Sequence, residues 1–98
     1  MLFHIRLTHS PGNCWARDEN EGKGSEFIER MEDATESLDV TVQSAHVAPN
    51  EHTFYLMAEA NSFASLTALL GPPLLQDHEA DVVPVETFGD VMDTLDVE

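Results

Sequence analysis

His9, Cys14 and His78 are the clearest candidates for chemistry in this sequence of 98 residues. Imidazole nitrogen and thiolate sulfur are ligands that zinc and similar transition metals prefer. A thiolate beside an imidazole is also a candidate nucleophile or redox-responsive thiol. The His-x4-Cys spacing matches no established zinc motif, so the alternative is a pair of loop histidines and an inert cysteine packed beside Trp15. We predict a metal or thiol site, with zinc or another transition metal as its cofactor.

A second candidate site consists of His4, Arg6 and Tyr55, which we predict to bind a small-molecule ligand. An arginine holds a carboxylate through two parallel hydrogen bonds, and a tyrosine hydroxyl donates to a bound carbonyl. The alternative is that Arg6 pairs with an acidic residue of a partner subunit. His46 and His52 flank a predicted turn, either as a pair across the hairpin or as half-exposed strand ends.

Several enzyme classes lack their motifs here. The sequence has no nucleophile elbow, no phosphate-binding glycine loop and no dinucleotide fingerprint. The acidic clusters do not follow the ligand spacing of a calcium loop and are expected to be solvated surfaces. Kinase, hydrolase and Rossmann-type activities are therefore excluded.

The hydrophobic pattern predicts the order β-α-β-β-α-β. Apolar residues alternate in the first strand, recur at helical spacing behind a serine N-cap, and alternate again among β-branched residues in the second strand. A glycine followed by two prolines is expected to end the second helix. The predicted elements are strand 2–9, helix 25–38, strand 40–47, strand 52–58, a helix from Asn61 or Ser62 to Gly71, a loop around 76–79, strand 82–87, and a short helix or tail over 88–98.

Right-handed crossovers connect this order most simply as a ferredoxin-like α+β fold. Strands one and three are then central in a four-stranded antiparallel sheet, both helices cover one face, and Pro84 suits an edge strand. His9, Cys14 and His78 are expected at one end of the sheet, together with Glu59. The uncovered face favours a homodimer, in which a second sheet packs against it as a dimeric α+β barrel.

Charge defines the environment and excludes two kinds of partner. Nineteen acidic residues face four basic ones, which gives a net charge of −15. Molar salt screens such self-repulsion, because the Debye length falls to about 3 Å. We therefore predict a protein of a salt-loving cell. A stripe of cations for nucleic acid, an apolar membrane span and a signal peptide are all missing, and one cysteine forms no internal disulfide. We expect a cytoplasmic protein of one domain, 1–98.

The chain resembles small ferredoxin-like domains of unknown function in the dimeric α+β barrel superfamily, of the haloarchaeal type. The resemblance lies in the Met1-Leu2-Phe3 opening strand, the His52-Thr53-Phe54-Tyr55 strand, an alanine-rich second helix and the Val82-Val83-Pro84-Val85 strand. The wider superfamily includes haem-degrading and quinone-forming monooxygenases and antibiotic-synthesis enzymes. The resemblance implies a fold and a homodimer, and transfers no active-site pattern to this sequence.

These observations predict a homodimer that binds a small molecule or a metal ion. One alternative is a cofactor-independent, monooxygenase-like enzyme that uses a pocket near His4, Arg6 and Tyr55. The other is a structural or regulatory module. An enlarged, partly apolar cavity behind the sheet favours the enzyme, whereas a filled interior with His9, Cys14 and His78 far apart favours the module.

Overall fold

The computed structural model describes residues 1–95, apart from the side chains of Pro72 and Pro73, and has the predicted element order. Residues 96–98 of the predicted C-terminal helix or tail lie outside the described part. Short 3₁₀ turns at Pro11–Asn13, Asp18–Asn20 and Pro49–Glu51 occupy the connections. The main elements are β1 Leu2–His9, α1 Lys23–Ser37, β2 Val40–Ala48, β3 Thr53–Ala60, α2 Phe63–Asp77, β4 His78–Val85 and α3 Phe88–Leu95.

The sheet is antiparallel with the strand order β2-β3-β1-β4. The predicted central position of β1 and β3 is confirmed, as is the edge position of β4, the strand that carries Pro84. An edge strand tolerates a proline because one of its sides needs no hydrogen-bond donors. The register places Thr8 opposite Thr53 and His9 opposite His78. The end of β1 therefore lies beside both the start of β3 and the start of β4.

The core lies between one sheet face and the helices. Alternate residues of β1 and β3 point to this face because successive side chains of a strand alternate. Helix α2 contributes four buried leucines, and α1 contributes an aromatic ring and an alanine. The fully or nearly fully buried residues are Phe3, Ile5, Leu7, Phe27, Ala34, Val40, Leu56, Ala58, Ala60, Leu66, Leu69, Leu70 and Leu74.

The predicted bounds of α1 and β4 are wrong at their starts. Helix α1 begins at Lys23 after Gly22, whose φ of 90° is in the left-handed region that favours glycine, and Ser25 lies inside the helix. Strand β4 begins at His78, so the predicted loop around residues 76–79 is not formed. The predicted N-cap of α2 is confirmed, because the Oγ of Ser62 accepts a hydrogen bond from the backbone N–H of Ser65 at 3.1 Å.

Helix α2 continues past the predicted stop through a kink at Gly71. This residue has φ 54° and ψ 178°, a conformation accessible essentially to glycine alone. Prolines are accepted in the first turn of a helix, where a backbone N–H has no acceptor within the helix. Pro72 and Pro73 therefore begin a second helical segment, which extends to Asp77 and places Leu74 in the core.

Arg30 compensates for the hydrogen bonds that the kink removes. The carbonyls of Ala68 and Leu69 have no i+4 donor because residues 72 and 73 are prolines. The Arg30 guanidinium donates to both carbonyls, from Nη2 to Ala68 at 2.8 Å and from Nε to Leu69 at 2.7 Å. One arginine of α1 thus fixes the kinked part of α2.

Replacing Arg30 by leucine is expected to lower the free energy of unfolding by about 2 kcal/mol, because two helix carbonyls lose a charged donor. Urea unfolding in molar KCl measures the loss. The matched control is Arg17→Leu, which removes an exposed ion pair with Glu19 and should cost much less, because water and salt screen such a pair. Equal losses for the two variants would contradict this role of Arg30.

Candidate functional site

Four side chains gather at the end of the sheet where β1 stops. His9 is the last residue of β1, His78 is the first of β4, and His52 precedes β3. The backbone N–H of His9 donates to the carbonyl of His52 at 3.0 Å, which extends the pairing of β1 and β3 by one residue. Cys14 follows the first 3₁₀ turn and completes the group. We call His9, Cys14, His52 and His78 the imidazole–thiol cluster.

The cluster lies on the helix side of the sheet, where His9 and His78 are buried, 6% and 7% exposed, and Cys14 and His52 are partly exposed. The Nδ1 of His9 and the Nε2 of His78 are 3.1 Å apart, and the Nδ1 of His78 lies 3.0 Å from the carbonyl oxygen of Leu74. One ligand atom each of His9, Cys14 and His52 lie within 4.8 Å of one another. Among the described atoms, the buried Nε2 of His9 and Nδ1 of His52 have no hydrogen-bond partner.

The pKa shifts within the cluster favour the neutral forms of His9 and His78. Burial lowers the pKa of His9, and the neighbouring His78 and His52 lower this pKa further. Burial also lowers the pKa of His78, against an opposing hydrogen bond to the Leu74 carbonyl. A neutral imidazole carries one N–H and one nitrogen with a free lone pair, so each ring has one donor and one acceptor.

The predicted group of His9, Cys14 and His78 thus gains His52, while His78 becomes a hydrogen-bond partner of His9. Of the two alternatives for His46 and His52, the pair across the hairpin is not formed, because His46 lies opposite Tyr55 in the sheet register. Glu59 was also misplaced, since it pairs with Leu2 at the far end. Both errors have the same cause, the direction assumed for β3. This strand runs antiparallel to β1, so the start of β3 lies beside the end of β1.

His4, Arg6 and Tyr55 lie on the sheet face that the helices leave uncovered, as predicted. The register pairs Arg6 with Tyr55, and the His4 and Tyr55 ring centroids are 6.2 Å apart. Arg6 donates from Nη2 to Asp81 of the neighbouring strand at 2.9 Å. Asp81 of the same chain is therefore an acid partner of Arg6. Both side chains are more than half exposed, and such pairs contribute at most about 1 kcal/mol.

This uncovered face, which we call the open face, carries little net charge. Three carboxylates lie on it, and two of them are neutralised: Asp81 by Arg6, and Glu59 by the N-terminal amine of Met1 at 2.7 Å. The strand residues that form the open face are Leu2, His4, Arg6, Thr8, Thr41, Ser44, His46, Ala48, Thr53, Tyr55, Met57, Glu59, Glu79, Asp81, Val83 and Val85. In a chain with a net charge of −15, such a face is distinct from the rest of the surface.

A cavity of about 920 Å³ lies over one end of the open face, between the sheet and α3. Apolar side chains of β1, β4 and α3 line it, with carboxylates at its rim. His4, Arg6 and Tyr55 do not line this cavity, and the sequence prediction missed it because the position of α3 was not predictable from the hydrophobic pattern. The lining residues are Met1, Leu2, Gln43, Glu59, Pro84, Val85, Glu86, Thr87, Asp90, Val91 and Thr94.

Comparison with known proteins identifies the fold. No protein-family model and no curated protein sequence matches the chain. A solved structure that matches is 5-chloro-2-hydroxyhydroquinone dehydrochlorinase (TftG) from Burkholderia phenoliruptrix AC1100, in complex with 2,5-dihydroxybenzoquinone. The TM-score is 0.63 at 16% identity, and the match covers 92% of this chain and 98% of that chain. The chain has a ferredoxin-like α+β fold. The predicted ferredoxin-like architecture is therefore confirmed, and the likeness extends to the fold alone.

Among the described residues, no helix is both long enough and apolar enough to span a membrane.

Proposed function

We propose that this protein is a homodimer that binds a small, hydroxylated, largely apolar molecule between the open face and α3. The cavity of about 920 Å³ carries the proposal, since its volume is within the range of about 300–1,000 Å³ typical of small-molecule sites. TftG, of the same fold, is described in complex with a hydroxylated quinone, which supports a ligand of this size and class.

The lining of the cavity defines the chemistry of the ligand. Leu2, Val85 and Val91 supply apolar contacts. Glu86 and Asp90 supply carboxylates, which accept hydrogen bonds and repel anions, while the Glu59 carboxylate is paired with the N-terminal amine. A neutral aromatic ring with hydroxyl donors meets both requirements, and an aromatic carboxylate meets only the first.

Dimerisation is supported by the charge and the exposure of the surfaces involved. Two highly acidic chains repel each other everywhere except where their charges are neutralised, and the open face is such a region. Helix α3 presents an apolar stripe at spacing i, i+3, i+4, i+7, formed by Phe88, Val91, Met92 and Leu95. Phe88 is 80% and Leu95 is 69% exposed in the single chain. A second copy on the open face covers this apolar surface and closes the cavity.

The working environment that we propose is a saline cytoplasm. Nineteen carboxylates against four basic side chains support it, because only high ionic strength screens that repulsion within and between subunits. A single, free cysteine is compatible with a reducing compartment.

Calorimetric titration in molar KCl tests the ligand proposal. We expect hydroquinone to bind and benzoate, an anion on the same ring, to bind at least about tenfold more weakly, a difference of about 1.4 kcal/mol. The variant Val91→Trp fills the cavity and should weaken hydroquinone binding by a similar factor, because the ring occupies the ligand volume. The control Val47→Trp adds the same ring on β2, away from the cavity. Hydroquinone binding that is absent, or that Val91→Trp leaves unchanged, contradicts the proposal.

A further inference from the structure

We propose that His9, Cys14 and His52 form a binding site for a single transition-metal ion of the zinc class. The site lies on the helix side of the sheet, opposite the open face, so it is separate from the small-molecule site and does not depend on it. It takes His52 where the sequence suggested His78.

The distances between the three candidate ligand atoms are close to those of a zinc site. Bond lengths of about 2.0 Å to nitrogen and 2.3 Å to sulfur place neighbouring tetrahedral ligands roughly 3.3–3.8 Å apart. The atoms of His9, Cys14 and His52 all lie within 4.8 Å of one another. That limit exceeds the spacing in a zinc site by only about 1 Å.

A chain of hydrogen bonds assigns the proton on each ring and selects the nitrogen that faces the ion. The carbonyl of Leu74 only accepts, so the Nδ1 of His78 carries the proton and donates to it. The Nε2 of neutral His78 is then an acceptor, and the Nδ1 of His9 donates to it. The Nε2 of neutral His9 is left with its lone pair free. In metal sites, the hydrogen bond at one ring nitrogen determines which nitrogen binds the ion.

The same nitrogen, Nε2 of His9, has no hydrogen-bond partner among the described atoms. His9 is 94% buried. The buried Nδ1 of His52 is in the same condition. Unpartnered buried polar atoms cost free energy, and native proteins keep few of them. A metal ion that accepts both lone pairs and the Cys14 thiolate removes that cost.

The ligand set determines the class of the ion. Two imidazoles and one thiolate suit zinc and cobalt(II), whereas magnesium and calcium require oxygen ligands. Three protein ligands also leave the fourth tetrahedral position for water or a solute. A cleft of about 450 Å³ beside His9 and His78 gives access to this end of the sheet.

In this arrangement His78 is a positioning residue. It does not contact the ion, and it orients the His9 ring through the hydrogen bond to Nδ1. The loss of such an outer partner typically lowers metal affinity about 10–100-fold without a change in the ligand set.

The test uses the full, untagged chain in molar KCl, with zinc measured by elemental analysis and calorimetry and with cobalt(II) as a spectroscopic probe. We expect one zinc ion per chain and a thiolate-to-cobalt charge-transfer band. Cys14→Ser should abolish that band, and His52→Asn should weaken zinc binding. His78→Gln should weaken zinc binding about 10–100-fold and keep the band. The control His46→Asn removes a histidine outside the cluster and should change neither measurement.

Circular dichroism of each metal-free variant establishes that it is folded, so that lost binding is not lost structure. Zinc binding that is far below one ion per chain overturns the proposal. So does a Cys14→Ser variant that keeps the wild-type zinc affinity, or a His46→Asn variant that loses as much affinity as His52→Asn.

Discussion

The variant Met57→Glu is expected to be a monomer under conditions in which the wild-type protein is a dimer. Met57 is half-buried near the centre of the open face, opposite His4 in the register. In the proposed dimer, the substitution places one uncompensated carboxylate from each subunit in the interface. Like charges that face each other cost several kcal/mol, and about 3 kcal/mol raises the dissociation constant roughly 100-fold.

Light scattering during size-exclusion chromatography in molar KCl measures the change. The wild-type mass is expected at about 22 kDa, twice the 10.9 kDa of the chain. The matched control is Ala64→Glu, which adds the same charge to an exposed position of α2 and should leave the dimer intact. If both variants elute as dimers, the open face is not the interface.

The folded state is expected to depend strongly on ionic strength. Between molar and about 0.1 M KCl the Debye length grows from about 3 Å to about 10 Å, so the repulsion among the carboxylates returns. A loss of only about 2 kcal/mol in the free energy of unfolding lowers the midpoint of a domain of this size by roughly 8–16 °C. We expect a decrease of at least this amount, measured by thermal unfolding at a series of KCl concentrations.

Sucrose separates charge screening from general stabilisation by cosolutes. Sucrose favours the compact state by exclusion from the surface and does not screen charge. At matched osmolality in dilute buffer, it should therefore restore only a small part of the lost stability. A midpoint that is independent of KCl, or that sucrose restores in full, contradicts the proposed adaptation to salt.

The parts of the fold that the sequence predicted correctly depend on patterns over several residues. Alternation in residues 2–9 defines a strand because one of its faces is buried, and the β-branched residues in 40–47 favour extended backbone. Strand order follows from the handedness of crossovers, and Pro84 at the edge agrees with it. These constraints act on whole elements, so errors of a few residues at the ends do not change the topology.

The errors concern positions that single residues determine. Gly71 followed by two prolines is typical of a helix end, and here it is a kink because Arg30 supplies the two missing donors from another helix. That contact is between elements far apart in the sequence, so the local pattern does not contain it.

Three of the four residues of the imidazole–thiol cluster were likewise predictable. His9, Cys14 and His78 follow from strand order alone. Placing His52 in the cluster also depends on the direction of β3. In addition, His52 ends the 3₁₀ turn in a left-handed backbone conformation, with φ 52°, which the sequence does not predict. The cavity under α3 was beyond prediction, since an amphipathic helix pattern does not specify what the helix covers.

Isotope-filtered nuclear Overhauser spectroscopy tests most directly whether a second copy covers the open face. The sample mixes equal amounts of chains with ¹³C-labelled methionine methyl groups and unlabelled chains in molar KCl. We predict cross-peaks between chains from the Met57 methyl to ring protons on the open face, and none from Met31, which packs on the helix side. Cross-peaks between chains that arise from Met31 and not from Met57, or no such cross-peaks at all, would contradict the account.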